Sequence, residues 1–234
     1  MFKNLLLATV LVAPIVIGSA AQAATPTLEM KLTASSNGAT SGTLIDSAHT
    51  GSLIYTGTLG GFNVVVGTGQ GVGSNQPAAG DQIFLNTFTV TSAASDTLTV
   101  YLTENNLSGT SNLLKTFTSY FSATLGNATT VLDLTTYVDT TNTLFGTGAG
   151  TQASTVHYTG STQAFSSTPS TSKLTNTLFS ETIKAVFTSS TSSTSSFGTK
   201  FNLAAAVPEP SAFAPLLAGL LGLGYVARRR LFNI

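Results

Sequence analysis

The stretch Thr97-Leu98-Thr99-Val100-Tyr101-Leu102 alternates hydroxyl-bearing and aliphatic side chains without a break. Successive side chains of a β-strand point to opposite faces, so this stretch predicts a strand with one buried face and one hydroxyl-rich face. The same period of two recurs at 28–32 and at 183–187. No long stretch has the three-to-four-residue period of an amphipathic helix, so the central chain is predicted to be all-β.

Less regular strand candidates extend the pattern over most of the chain. They are Ser52–Thr56, Phe62–Val66, Ile83–Thr91, Leu113–Phe121, Thr129–Leu134, Gln152–Tyr158 and Lys200–Ala204. Turn-forming residues separate them at Asn37-Gly38, Gly60-Gly61, Asn105-Asn106, Gly126-Asn127 and 146–150. Eight to ten short strands of this kind favour an antiparallel β-sandwich-like domain over an α/β fold.

The composition excludes several kinds of protein. Charged residues make up 8 % of the chain, against about 25 % in ordinary globular domains. Between residues 24 and 207 the eight acids outnumber the five lysines by three, so no basic patch for nucleic acid is expected. Cysteine is absent, which rules out disulfides and thiolate zinc sites. Stability must therefore come from burial of apolar surface, and solubility from hydroxyl groups.

The first 23 residues have the features of a secretory signal peptide. Lys3 precedes an apolar run from Leu5 to Ile17, and small residues follow up to an Ala21-x-Ala23 cleavage pattern. This predicts an N-terminal signal helix, removed before Ala24. An uncleaved N-terminal membrane anchor is the alternative.

The chain ends with a second apolar segment. Val207-Pro208-Glu209-Pro210 is followed by an apolar run from Ala212 to Ala227 and then by Arg228-Arg229-Arg230. The two prolines stiffen the motif in a non-helical conformation. Counted from Ser211, a helix reaching Ala227 would be ~25 Å long, against ~30 Å for the hydrocarbon core of a bilayer. We expect a marginal C-terminal transmembrane helix with cytoplasmic arginines. A buried helix and a permanent, uncleaved anchor are the alternatives.

Residues 207–230 resemble the PEP-CTERM sorting signal of bacterial surface proteins. The resemblance implies processing by the membrane enzyme exosortase near Pro208-Glu209-Pro210 and delivery to the cell envelope or extracellular matrix. It implies exosortase and, transiently, the membrane as partners, but nothing about the ectodomain. The predicted organisation is therefore a signal peptide at 1–23, a β-rich ectodomain at 24–206 and a sorting signal at 207–234.

Known catalytic and cofactor motifs are missing. Val64-Val65-Val66 precedes glycines at positions 67, 69, 71 and 73, but neither a dinucleotide-binding nor a P-loop spacing fits, so a flexible hairpin-type loop is predicted. His49 and His157 are predicted on a loop or a strand surface. No Gly-x-Ser-x-Gly elbow nominates a nucleophilic serine.

The acidic residues do not single out a site either. Asp133 and Asp139 flank a short segment, where turn capping is favoured over a calcium site. A glycosidase needs two acids facing one cleft, and the eight scattered acids nominate no pair. We therefore predict no catalytic, cofactor or metal residue, and no enzyme.

Two features bear on the environment of the ectodomain. Thr188–Ser196 is an unbroken run of nine serines and threonines, predicted to be a loop or flexible segment, plain or glycosylated. Five tyrosines offer contacts for sugars: Tyr55, Tyr101, Tyr120, Tyr137 and Tyr158. The leading hypothesis is an exported, non-enzymatic envelope or matrix protein. A glycan-binding module or adhesin of the exopolysaccharide matrix is the alternative, and a secreted hydrolase the third hypothesis.

Overall fold

A computed structural model describes residues 25–71, 82–108, 113–148, 152–160, 163–174 and 178–203. Within these residues every regular element is a β-strand. The strands are β1 (Thr27–Ala34), β2 (Thr40–Ile45), β3 (Ser52–Leu59), β4 (Phe62–Gln70), β5 (Gln82–Ser92), β6 (Asp96–Ser108), β7 (Leu113–Thr124), β8 (Val131–Asp139), β9 (Gln152–Thr159), β10 (Gln163–Leu174), β11 (Leu178–Ser189) and β12 (Ser193–Leu203).

Both predicted processing segments lie outside the described residues. These are the signal peptide, with Ala21 and Ala23, and the sorting signal, with Pro208, Glu209, Pro210, Arg228, Arg229 and Arg230. The described part of the chain contains no helix long and apolar enough to cross a membrane.

The strands form two six-stranded sheets packed face to face. Sheet A has the order β2-β1-β6-β11-β8-β9 and sheet B the order β10-β7-β12-β5-β4-β3. Every strand pair is antiparallel, in the register that lets one face of each sheet point inward. The predicted antiparallel β-sandwich is therefore confirmed for the central chain.

The core is built from the aliphatic and aromatic residues that alternate with hydroxyls. Leu98, Val100 and Leu102 of β6 are fully buried. Phenylalanines join the two sheets: Phe62 and Phe187 meet edge to face at 5.8 Å between ring centroids, and Phe117 and Phe179 do so at 5.9 Å. Edge-to-face pairs are the geometry that aromatic quadrupoles favour.

Two strands lack a recognisable sequence pattern and were not predicted. Strand β2 contains only Leu44 and Ile45 as large apolar residues, and no residue in it is fully buried. Strand β10 contains Pro169, which removes a ladder hydrogen bond and is tolerated at a sheet edge. Both are edge strands, where the demand for a regular buried face is weakest.

Two predicted irregular segments are in fact mostly strand. Asn105 and Asn106 lie inside β6, where the pairing with β11 shifts register and Asn106 adopts a φ of 58°. Asparagine tolerates this left-handed conformation better than most residues, so a bulge and not a turn results.

In the run Thr188–Ser196 only residues 190–192 connect two strands. The buried Ser189 hydroxyl there donates to the carbonyl of Thr191 at 2.7 Å.

The glycine-rich segment after Val66 likewise begins as part of a strand and not as a hairpin loop. Gly67 and Gly69 belong to β4, and Gly71 follows it directly. A side chain at Gly67 would collide with the ring of Phe88, and one at Gly69 with Leu102 and Met30. The glycines are therefore required because large core side chains press against the backbone of β4.

Candidate functional site: a groove on sheet B

The outer face of sheet B carries one row of large side chains across three neighbouring strands. Lys200 of β12 lies opposite Tyr120 of β7 on one side and opposite Phe84 of β5 on the other. Each of the three follows or precedes buried residues in its strand, so the alternation of the strand turns it away from the core. Tyr120 is 46 % exposed, which makes it the most accessible of the five tyrosines proposed for sugar contacts.

The lysine is held between the two rings. Its ammonium nitrogen lies 5.2 Å from the centroid of Phe84 and 5.8 Å from that of Tyr120. Both distances lie within the ~6 Å range of cation–π attraction. Within the part of the chain that the structure describes, the sole ion pair is His157–Asp133, so no described carboxylate pairs with Lys200.

This row forms part of the lining of a groove. Two depressions of about 250 and 220 Å³ share Asn86, Ser122 and Gly198 and continue one another along β12. Gly198 leaves the floor low because it has no side chain, and the register between β12 and β5 shifts beside it. The extra residue lies in β5, and such a bulge bends the bulged strand and increases its twist. We call Phe84, Asn86, Tyr120, Ser122, Gly198 and Lys200 the sheet B groove.

The groove presents the groups that sugars use. Aromatic rings pack against the C–H face of a pyranose, and their faces attract the partial positive charge of its hydrogens. Asn86 has an exposed amide, while the Ser122 hydroxyl lies 3.3 Å from the carbonyl of Gly198, to which it donates. Chemically the arrangement offers aromatic rings, an amide and a hydroxyl side by side along a shallow surface.

The other four tyrosines do not form a second aromatic surface. Tyr137 and Tyr158 are buried, and Tyr55 is half-buried on β3. Tyr101 lies on sheet A, where it is half-buried and meets Phe145 edge to face at 6.1 Å between ring centroids. Of these five tyrosines, only Tyr120 is both exposed and placed across strand β12 from a second ring, that of Phe84.

The two histidines occupy the surface positions predicted for them. His49 lies in the loop between β2 and β3, where its Nδ1 is 2.8 Å from the carbonyl oxygen of Pro26. His157 on β9 contacts Asp133 of β8, at 2.6 Å from Nδ1 to the carboxylate. In the described ranges no serine hydroxyl bonds to His157, so these residues do not assemble a Ser-His-Asp site.

Asp133 and Asp139 do not converge on a cation. Asp139 ends β8 and accepts hydrogen bonds from the amide and the hydroxyl of Thr141, which is the predicted turn capping. Burial raises the pKa of Asp139, but these bonds and those from Thr143 outweigh it and lower the pKa below its usual range. Asp133 lies mid-strand and caps no turn, so that half of the prediction is wrong. Among the described residues no cluster of three or more acidic or histidine side chains could hold a metal ion.

One pair of acids is brought together that the sequence did not single out. Glu104 of β6 and Glu181 of β11 lie directly opposite each other, and both are fully buried. Glu104 also packs against Gly71, at the end of the opposite sheet. The pair therefore points into the sandwich and not into a cleft, where a glycosidase would need it.

Comparisons with known proteins find no family model and no curated protein that matches this chain. Among solved structures it resembles TmCBM61 in complex with β-1,4-galactotriose, at 7 % identity and a TM-score of 0.34, covering 66 % of this chain and 88 % of the other. It also resembles the enzymatically active domain of bacteriophage CBA120 tailspike protein 4, at 12 % identity and a TM-score of 0.31, covering 63 % and 20 %. A third likeness is to the infectious bursal disease virus Gx strain, at 12 % identity and a TM-score of 0.28, covering 80 % and 59 %. At these scores the likenesses carry no argument about this chain.

Apart from Tyr120, sequence reasoning missed the residues of the sheet B groove. A signal existed: Phe84 lies between Ile83 and Leu85, and Lys200 between Thr199 and Phe201, so alternation alone turns both outward. What the sequence lacks is the strand order. Residues 84, 120 and 200 become neighbours only because β12 inserts between β5 and β7.

Proposed function

We propose that this chain is an exported, non-enzymatic protein of the cell envelope or extracellular matrix, and that its β-sandwich binds glycan at the sheet B groove. The observation that carries the glycan part is the row of Phe84, Lys200 and Tyr120 beside the low floor at Gly198. An open groove suits a polymer, because a long chain can enter and leave without threading through a closed pocket. Hydroxyl groups also line the same depressions, on Ser122, Thr124 and Ser196.

The two terminal segments support the export part of the proposal. An N-terminal signal-peptide pattern and a motif resembling a PEP-CTERM signal bracket the sandwich in the sequence. The last strand ends at Leu203, five positions before Pro208. At ~3.5 Å per residue, those five positions span at most ~17 Å. If exosortase cuts beside the membrane, the folded sandwich is held close to the membrane until cleavage.

The arrangement of the acidic residues that the structure describes is the basis for proposing a non-enzymatic role. In the described part of the chain the acids that come together, Glu104 and Glu181, have no exposed surface. The exposed acid beside a histidine, Asp133, lacks a partnering serine. Binding without chemistry is the function these residues favour.

A binding titration tests the glycan part. The full-length chain, purified in detergent, is titrated with polysaccharide from the producing organism. The variant Tyr120→Ala and the control Ile45→Ala are titrated in the same way. Ile45 is another exposed apolar side chain, 53 % accessible, but on sheet A. We expect Tyr120→Ala to weaken binding about tenfold, equivalent to ~1.4 kcal/mol, and Ile45→Ala to leave it unchanged. Absence of binding in the wild type, or equal binding by both variants, would refute the groove as a glycan site.

A further inference from the structure

Charge is distributed unequally between the two sheets. The strands of sheet B contain three lysines, Lys115, Lys173 and Lys200, and no acidic residue. The strands of sheet A contain six acids and two lysines. A chain whose ectodomain is negative overall therefore keeps every strand of its grooved sheet free of carboxylates.

Lys200 is the charged group that lies in the groove itself. Its ammonium is placed over Phe84 and Tyr120, at 5.2 and 5.8 Å from their ring centroids. A neutral sugar that stacks on these ring faces has to displace the ammonium first. A ligand with a carboxylate can instead bind the ammonium where it lies, because opposite charges attract and the hydroxyl-lined surroundings add no repulsion.

From this placement we infer that the sheet B groove selects an acidic polysaccharide, one whose sugar rings carry carboxylate groups, with Lys200 as the residue that determines specificity. The inference rests on the proposed glycan function and narrows its ligand class. The low floor at Gly198, together with the ring surface that the ammonium leaves uncovered, accepts the sugar backbone. Lys200 then distinguishes a uronate from the corresponding neutral sugar by one charge-assisted contact.

The matched residue for a control lies on the other sheet. Lys184 of β11 also lies over a tyrosine, with its ammonium 5.6 Å from the ring centroid of Tyr101. It shares the sheet A strands with six acids, and Phe145 packs edge to face with its tyrosine. Lys184→Gln therefore removes the same charge and the same kind of cation–π contact without touching the groove.

The experiment compares two polymers that differ only at C6 of each ring, which is a carboxylate in one and a neutral hydroxymethyl group in the other. Polygalacturonate and its carboxyl-reduced product are titrated against the full-length chain in detergent, with Lys200→Gln, Lys184→Gln and Tyr120→Ala beside it. We expect the wild type and Lys184→Gln to prefer the acidic polymer by about tenfold, and Lys200→Gln to bind both polymers alike. Tyr120→Ala should weaken binding of both polymers. The wild-type preference should shrink between about 0.02 M and 0.5 M salt, because salt screens exposed charges.

Each contrary outcome identifies which proposal fails. Equal binding of the two polymers by the wild type overturns the acidic selectivity and leaves glycan binding standing. A preference that survives in Lys200→Gln, or is lost in Lys184→Gln, overturns the assignment to Lys200. Displacement of the acidic polymer by single-stranded DNA at equal charge concentration overturns the selectivity for an acidic polysaccharide, since the groove would then bind any polyanion. Failure to bind either polymer, or the organism's own polysaccharide, refutes the proposed function itself.

Discussion

Asp96 is the residue that ties one end of the sandwich together. Its carboxylate accepts hydrogen bonds from the hydroxyl and amide of Ser36 at 2.6 and 2.8 Å, and from the amide of Gly61 at 2.9 Å. It thereby joins the β1–β2 turn of sheet A to the β3–β4 turn of sheet B. Burial raises the pKa of Asp96, but these bonds, with those from Ser35 and Thr97, outweigh it and hold the pKa far below the usual range.

Replacing this carboxylate should cost stability in a pH-dependent manner. Because the pKa of Asp96 is lower in the folded than in the unfolded chain, its contribution is complete above the unfolded pKa of ~3.9 and is lost as the pH falls toward the folded value. We expect Asp96→Asn to lower the free energy of unfolding by ~2 kcal/mol at neutral pH, and the difference from wild type to narrow once the pH falls below about 4. Urea unfolding at several pH values measures this.

The matched control is Asp133→Asn, which removes an exposed carboxylate whose contact is with a surface histidine. Exposed ion pairs contribute only ~0–1 kcal/mol, so the control should unfold almost as the wild type does. A gap between Asp96→Asn and wild type that stays constant from neutral pH to pH ~3 would contradict the linkage argument.

At the scale of the element, β4 shows how a strand is shaped by the sheet it faces. Gly69 lies against the side chains of Leu102 and Met30, which belong to the opposite sheet. A methyl group at this position has no space, although the sequence around it shows only a glycine-rich run. Its glycines are therefore a packing requirement of the strand and not a sign of flexibility.

Gly69→Ala is expected to destabilise the protein by ~1–3 kcal/mol, because overpacking forces Leu102 and Met30 from their positions. Gly148→Ala is the control, since a side chain there meets nothing within 4 Å. That control should change the unfolding free energy by less than ~0.5 kcal/mol. Equal urea midpoints for the two variants would show that the space above Gly69 is not filled as described.

The whole molecule combines a charge-poor sandwich with two terminal segments that are proposed to direct its export. Eight of the nine acids lie between residues 24 and 207, while all three arginines lie at 228–230. The cationic terminus is expected to stay on the cytoplasmic side of the membrane while the sandwich is outside. The Pro208-Glu209-Pro210 motif lies between them, where processing would release the sandwich.

Changing Pro208, Glu209 and Pro210 together to alanine should leave a full-length form in the membrane fraction. The reason is that alanine removes both fixed φ angles and the carboxylate from the expected recognition site. Mass spectrometry of membrane and medium fractions measures the retained and released forms, with Val207→Ala as the control that should be processed normally. Normal release of the triple variant would exclude processing that depends on this motif.

The sequence by itself determined that the central chain is all-β and antiparallel, because side-chain alternation follows directly from strand geometry and survives wherever a strand has one buried face. It failed at β2 and β10, where an edge strand needs no such face, and at Asn105-Asn106, where a bulge resembles a turn. Only the tertiary structure decided which outward residues meet. Phe84, Tyr120 and Lys200 are at least 36 positions apart from one another in the chain, and they form one row because strand order, which alternation does not encode, sets β12 between β5 and β7.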